Sequence, residues 1–449
     1  MTATQRMPEA GPVTASLPGR GSARIDAVTV LTIYLVLLCA LPSALTITAL
    51  GSVGRPAALW ALGAALWWGW ELVHRREPST AGVQPVRVVL FLFLGAVLLS
   101  YAWAMLRGLP GDEVGPADSG LIRVAGWAGI LLLAADGIPD RDRLLVLQRR
   151  IALVGGLMAT LGLLQFITGQ SLLDWISIPG MSSDTASLAG IDTRGGFVRA
   201  SGTAMHPLEY GVVLCIAFPI AISLALKDAS RSRLVRCFPV AAIGVASALA
   251  VSRSALIGLL AAILVLAPVW SWRVRALVGA AATGLVIAVG VLVPGMLGTI
   301  RGLFLGITSD TSVVSRLSSY DVALEYIGRF PLIGKGFGTF LPRYHILDNQ
   351  FLLLAVDLGV VGVALFLGVL GAAIWCASIA RRSATSELDR HLGQALIAAI
   401  ASGGVLLLFF DGFSFPMSAG MLFLVIGVAG AARRLANRTE LTPQRSGIR

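Results

Sequence analysis

Apolar residues run along this chain in long blocks separated by short polar breaks. A helix that crosses a membrane needs about 20 predominantly apolar residues. Blocks of roughly that length recur from residue 27 to residue 432 and predict twelve spanning helices. They are 27–50, 57–73, 87–106, 120–136, 151–170, 207–226, 237–251, 254–270, 276–295, 350–375, 394–411 and 415–432. Only Ser252 and Arg253 separate 237–251 from 254–270, and the apolar length there favours two spans over one broken helix. The pattern divides the chain into a tail at 1–26, rich in Pro, Gly, Ala and Ser and expected to be disordered, a membrane domain at 27–432 and a second tail at 433–449. The first apolar run starts late and is long enough to span, so a cleaved signal peptide is not expected.

The loops fix an orientation. Basic residues collect in every second break: Arg75, Arg76 and Arg87; Arg141, Arg143, Arg149 and Arg150; Lys227, Arg231, Arg233 and Arg236; Arg273 and Arg275; Arg381, Arg382 and Arg390. With the two tails these hold 24 of the 35 Lys and Arg residues. Such alternation is the positive-inside bias, and it sets both termini in the cytoplasm. The opposite side carries two long loops, about 170–206 and 298–349. Loops of that length are usually functional or disordered, and the mixture of basic, acidic and aromatic residues favours function.

Composition agrees. The 449 residues are 56% hydrophobic and 13% charged, against about 25% charge in soluble domains. The net charge of +11 is the loop bias and not a nucleic-acid surface. Cys39, Cys215, Cys237 and Cys376 sit in or beside apolar segments with no paired spacing. They read as small buried thiols, with no disulfide or zinc site expected. Trp60, Trp67, Trp68, Trp70, Trp270 and Trp272 lie near span ends, as interface anchors do.

Candidate chemistry gathers on the outer side. Arginine there opposes the insertion bias, and its planar fork matches phosphate oxygens. Arg199 precedes the sixth span, which His206 and Pro207 open, with Pro suited to the first helical turn. Arg253 stands at the tight turn between the seventh and eighth spans. Arg316 opens a polar stretch in which Leu317, Tyr320, Ala323, Leu324 and Ile327 predict an amphipathic surface helix. Lys335 and Arg343 follow in the same loop and, with His206, join the arginines as candidate substrate-binding residues. His345 and Asp348 stand at the mouth of the tenth span, where either could take a proton from an incoming hydroxyl. Asp357, inside that span, reads as packed and hydrogen-bonded, and Asp411 as a weaker candidate.

Residues 195–375 resemble the O-antigen ligase and polymerase family of membrane glycosyltransferases. The resemblance rests on RASGTAMHPLEYG, AVSRSALIGLL, SRLSSYDVALEYIGRFPLIGKGFGTF and LDNQFLLLAVDLGVVG, in that order. It implies an all-α, GT-C-like membrane protein of about twelve helices, in a bacterial inner membrane, with a long extracytoplasmic loop before the tenth. It further implies metal-independent, cofactor-free, inverting transfer of a glycan from a polyprenyl pyrophosphate, such as undecaprenyl pyrophosphate, to a glycan or lipid acceptor on the outer leaflet. Arg199, Arg253 and Arg316 match arginines expected to hold the pyrophosphate. Ligases typically carry a histidine where this chain has Asp348, and the Asp348–Asn349 pair looks more like the polymerase branch, which can work with a chain-length regulator. Two other readings stand beside these. One is a transporter of lipid-linked glycans, which would carry its charges near the bilayer midplane. The other is a membrane scaffold whose outer loop binds a partner.

Overall fold

The computed structural model describes residues 26–74, 83–174, 176, 178–183, 193–194, 196–250, 252–305 and 311–441. The first expected tail lies outside that set up to residue 25 and the second from residue 442, whereas residues 433–441 continue the last helix. The described helices are α1 (Ala27–Cys39), α2 (Pro56–His74), α3 (Pro85–Arg107), α4 (Gly111–Gly137), α5 (Arg141–Thr168), α6 (Pro207–Lys227), α7 (Arg233–Leu249), α8 (Arg253–Leu266) and α9 (Trp272–Leu292). They continue as α10 (Met296–Leu305), α11 (Thr311–Arg329), α12 (Gln350–Arg382), α13 (Glu387–Leu406) and α14 (Pro416–Leu441).

The protein is an all-helical bundle with membrane-spanning character. Among the described residues, seven helices are long and apolar enough to cross a bilayer: α3, α4, α5, α6, α9, α12 and α14. The expected spans at 27–50 and 254–270 fall on shorter apolar helices, and those at 57–73, 237–251 and 394–411 on α2, α7 and α13. Large apolar side chains such as Leu66, Leu106 and Leu277 point outward, as they would toward lipid. The centre belongs to α6, in which Pro207 and every residue from Glu209 to Leu224 are buried. It packs against α5, α7, α8, α13 and α14.

The first expected span is corrected. Helix α1 stops at Cys39, because Pro42 has no N–H to continue it. Leu45–Ile47 instead form a strand, β1, paired antiparallel with β2 (Met181–Ser183) of the first long loop. A second pair joins β3 (Thr193–Arg194) to β4 (Phe197–Val198). One thiol, Cys237, is exposed, whereas Cys39, Cys215 and Cys376 are buried.

The ends of the bundle sort as the charge pattern predicts. Arg143 holds Asp26, Arg87 holds Asp136, Arg149 holds Asp228, Lys227 holds Glu387 and Arg141 holds Asp389. Each pair joins breaks that the sequence assigns to one side. The other end, called here the loop end, gathers the long loops.

One break in a helix organises that end. Helix α12 is interrupted at Gly359, which takes φ 67°, a left-handed conformation suited to glycine. The interruption leaves the carbonyls of Val356 and Asp357 and the N–H of Val360 without helical partners. The loop after α11 supplies them. The N–H groups of Lys335 and Gly336 donate to Val356 (2.8 Å) and Asp357 (3.0 Å), and Val360 donates to Pro331 (2.9 Å). A Cβ on Gly334 would lie 2.2 Å from the Asp357 carbonyl carbon, so only glycine permits this approach. The Asp357 carboxylate accepts from the N–H groups of Gly338 (2.9 Å) and Phe340 (3.3 Å), the packed role expected of it.

Helix α11 rests on this strap through one edge of its expected apolar stripe. Ala323 is buried with Phe340, Leu347 and Val356, whereas Tyr320 and Leu324 are exposed. Ser319 is buried in their place.

Candidate functional site

Four chain segments meet at the loop end, and a buried carboxylate ties three of them. Glu209 lies in the first turn of α6 and is fully buried. Its Oε2 accepts from Ser43 Oγ (2.9 Å) and the Met205 N–H (3.0 Å), and its Oε1 accepts from the Met417 N–H (2.7 Å). The segment after α1, the loop before α6 and the start of α14 are thereby locked together. His206 caps α6: its Nδ1 accepts from the Leu208 N–H at 3.1 Å. In the neutral ring this leaves the proton on Nε2. The ring lies 5.7 Å from that of Phe415.

The fourth segment is the start of α12. Asn349 caps it, accepting from Phe351 and Leu352. The next residue, Gln350, donates from its backbone to the Leu407 carbonyl (2.8 Å) and accepts from the Phe413 N–H (2.7 Å). Asp348 is thus set beside the turn that links α13 to α14, and the charge of Asp411 in that turn interacts with it. Burial raises the Asp411 carboxyl to about 6, opposed by a Ser414 hydrogen bond and reinforced by the nearby Asp348.

Folded Asp411 keeps its proton to about pH 6, unfolded Asp411 only to about 3.9. Between those values the folded state binds more protons, so stability falls as pH rises through the window. Asp411→Asn removes this loss, worth about 1–3 kcal/mol. Thermal unfolding of the purified variant will fall less between pH 4 and pH 6.5 than that of the wild type; an identical fall would refute the assignment.

The other expected residues divide. Arg199, His206 and Arg253 are half-buried at the loop end. Arg253 opens α8, whose second turn packs on α13: a Cβ on Gly258 would lie 2.8 Å from Leu406. Arg316 stands one turn before Ser319 and Tyr320 in α11, and its side chain lies outside the described residues. That helix reaches the α12 start, since Ser319 Oγ lies 2.9 Å from His345 Nε2 and Asn349 Nδ2 lies 3.5 Å from the Tyr320 hydroxyl. His345 therefore holds α11 in place. Lys335 and Arg343 sit apart from this group, on the N-terminal turn of α4. Lys335 Nζ lies 2.7 Å from Glu113 Oε2, and Arg343 pairs with Asp112 and bonds the Tyr344 hydroxyl (2.7 Å). Their contacts are those of struts that fix the strap to α4.

Sequence reasoning passed over Arg55, Arg123 and Glu209. Both arginines belong to the outer-side basic residues that oppose the insertion bias, and that was the available signal. Glu209 resembled an ordinary first-turn acid. Among the described residues, no group of three or more His, Cys, Asp or Glu side chains is placed to hold a metal ion.

No curated protein matches the chain at a significant level. Residues 238–367 match the family model described as O-antigen ligase. The matched segment runs from α7 to the middle of α12 and includes Arg253, Arg316, His345 and Asp348. This match supports the chain's place in the O-antigen ligase/polymerase family.

Proposed function

We propose that the protein is a membrane glycosyltransferase that polymerises oligosaccharide repeats carried on a polyprenyl pyrophosphate. The observation that supports the reading is that the α12 start, which carries Asp348, is bonded to the turn that carries Asp411, whose charge interacts with it, at the end where Arg199, Arg253 and His206 are half-buried. In this reading the chain has twelve spans in a GT-C-like arrangement, lies in a bacterial inner membrane with both termini cytoplasmic, and works on the outer leaflet. A tail at 1–26 and another at 433–449 flank the membrane domain.

The step is a single in-line displacement. Asp348 accepts the proton of the acceptor hydroxyl, and that oxygen forms a bond to the anomeric carbon as the carbon–oxygen bond to pyrophosphate breaks. The pyrophosphate leaves with the electron pair, and the anomeric configuration inverts. Arg199, Arg253 and Arg316 stabilise the charge on the leaving group, work that fixed cationic donors perform without reorganisation. His206, with Nε2–H as donor, assists them. His345 positions α11 through Ser319, and Lys335 and Arg343 hold the strap. A chain-length regulator would act through the loop end.

The description of the matched family favours a second reading, transfer of a finished glycan to a lipid or cell-wall acceptor. Glycan length separates the two. In cells lacking the protein, single repeats still transferred to the surface are the expected result. Full-length polymer stranded on the carrier would mean ligase, and an unchanged ladder in cells with no paralogue would overturn both.

A further inference from the structure

A cleft between α2, α4 and the turn before α14 is lined by two arginines that the proposed reaction does not use. Arg55 precedes the first turn of α2 and Arg123 lies in α4, and both face this cleft with Tyr34, Trp127, Phe413 and Ser414. The two cations are near enough to repel one another. Both Nε atoms are buried without a hydrogen-bond partner, and neither side chain has an ion pair or hydrogen bond among the described residues. Burial also lowers the Arg55 guanidinium from its ordinary range.

The nearest carboxylates are committed elsewhere. Glu209 interacts with the Arg55 charge, but its oxygens are taken by Ser43, Met205 and Met417. Asp357 interacts with the Arg123 charge, but it accepts from Gly338 and Phe340. These two acids offset part of the charge and satisfy none of the guanidinium donors. A guanidinium carries five N–H donors in a fixed fork and does not shed its charge. Leaving such donors unmet in a sheltered place costs more than leaving a neutral group unmet.

The walls define what can enter. Below the arginines α2 and α4 close tightly: a Cβ on Gly126 would lie 3.3 Å from Ala61, and one on Gly129 would lie 2.4 Å from Ala65. The two helices therefore leave little space between them beneath the arginines. The upper rim of the cleft, Phe413 to Pro416, directly follows Asp411.

We propose that Arg55 and Arg123 form a second anion site, for an oxyanion such as the phosphate of a lipid headgroup or of a free phosphorylated ligand. The arginines assigned to the leaving pyrophosphate are not among the residues that line this cleft, and the proposal does not depend on the glycosyl-transfer reading. Occupancy joins α2 and α4 through one shared anion and reaches the Asp411 turn through Phe413 and Ser414.

The test uses the full chain, purified and placed in nanodiscs of phosphatidylcholine alone or with phosphatidylglycerol, with inorganic pyrophosphate as the soluble probe. Thermal unfolding and native mass spectrometry read binding. Wild type is expected to gain several degrees in Tm from at least one probe. Phosphatidylglycerol alone would identify a lipid headgroup, and pyrophosphate alone a free anion. Arg55→Gln and Arg123→Gln, each alone, should weaken that binding at least tenfold while the probe-free Tm holds or rises as the repulsion is relieved. Arg343→Gln, an exposed and paired arginine at the same end, should leave it unchanged. Arg55→Lys serves where the Gln variant does not fold, and should bind with intermediate strength. No stabilisation of wild type by any probe, or full binding by both Gln variants, would overturn the proposal. Loss of polymer length in cells with anion binding intact would instead bear only on the proposed reaction.

Discussion

Asp348→Asn is expected to lower the rate of glycan transfer by about 10²- to 10⁴-fold, the usual contribution of a positioned general base. Asn has the shape of Asp but cannot accept the proton of an acceptor hydroxyl. The cap and anchoring of the α12 start are made by the neighbours of Asp348. Asn349, not Asp348, caps α12, and Gln350 secures the helix start to the turns at Leu407 and Phe413. Insertion and stability should therefore match wild type, which separates a chemical defect from a folding defect. The measurement is incorporation of lipid-linked repeats in membrane vesicles, with protein level and Tm recorded in parallel. Removing the Asp348 charge also eases ionisation of Asp411, so any residual rate should show a changed pH profile. Full activity in the variant would end the assignment of Asp348 as base.

What the sequence disclosed and what it hid follow from one physical distinction. Apolar length dictates which segments enter lipid, and it needs no partner to be read. Helices therefore lie on the expected apolar blocks, seven of them long and apolar enough to cross a bilayer among the described residues, while the first block is helical only to Cys39. The bias of arginine dictates which breaks share a side, and the ion pairs Arg143–Asp26 and Arg149–Asp228 join such breaks. Partner choice is different, because it depends on residues far away in the chain. Lys335 read as a cation awaiting a ligand, yet Glu113 on α4 meets it at 2.7 Å. Leu324 completed an apolar stripe on α11, yet it is exposed, while Ser319 on the same helix reaches His345. Gly359 sat within an apolar run interrupted only by Asp357, and nothing local announced that the loop at 331–336 would bond into the break. The end of α1 was misjudged for the same reason, since β1 exists only by pairing with β2. Sequence named the groups that needed partners. It did not say which partners they would find.

Glu209→Gln is expected to cost about 2–5 kcal/mol of stability, the range for breaking a buried charged hydrogen-bond network. The carboxylate offers only acceptors, and three donors converge on it from Ser43, Met205 and Met417. Gln keeps one oxygen and replaces the other with an NH₂ group. Facing either way, the amide sets its donors against a backbone N–H, of Met205 or of Met417, that cannot turn around. The Ser43 hydroxyl can rotate, and a backbone N–H cannot, so one clash always remains. Either rotamer therefore loosens a joint between the segment after α1, the loop that carries Arg199 and His206, and the start of α14. Thermal unfolding of the purified variant should fall by several degrees, and glycan transfer should fall with it, because His206 and the Asp411 turn flank the broken joint. Glu209→Asp, which keeps both acceptors on a shorter stem, should recover part of the loss. A Gln variant as stable as wild type would mean that the three segments are held by packing alone, and that Glu209 has a role other than joining them.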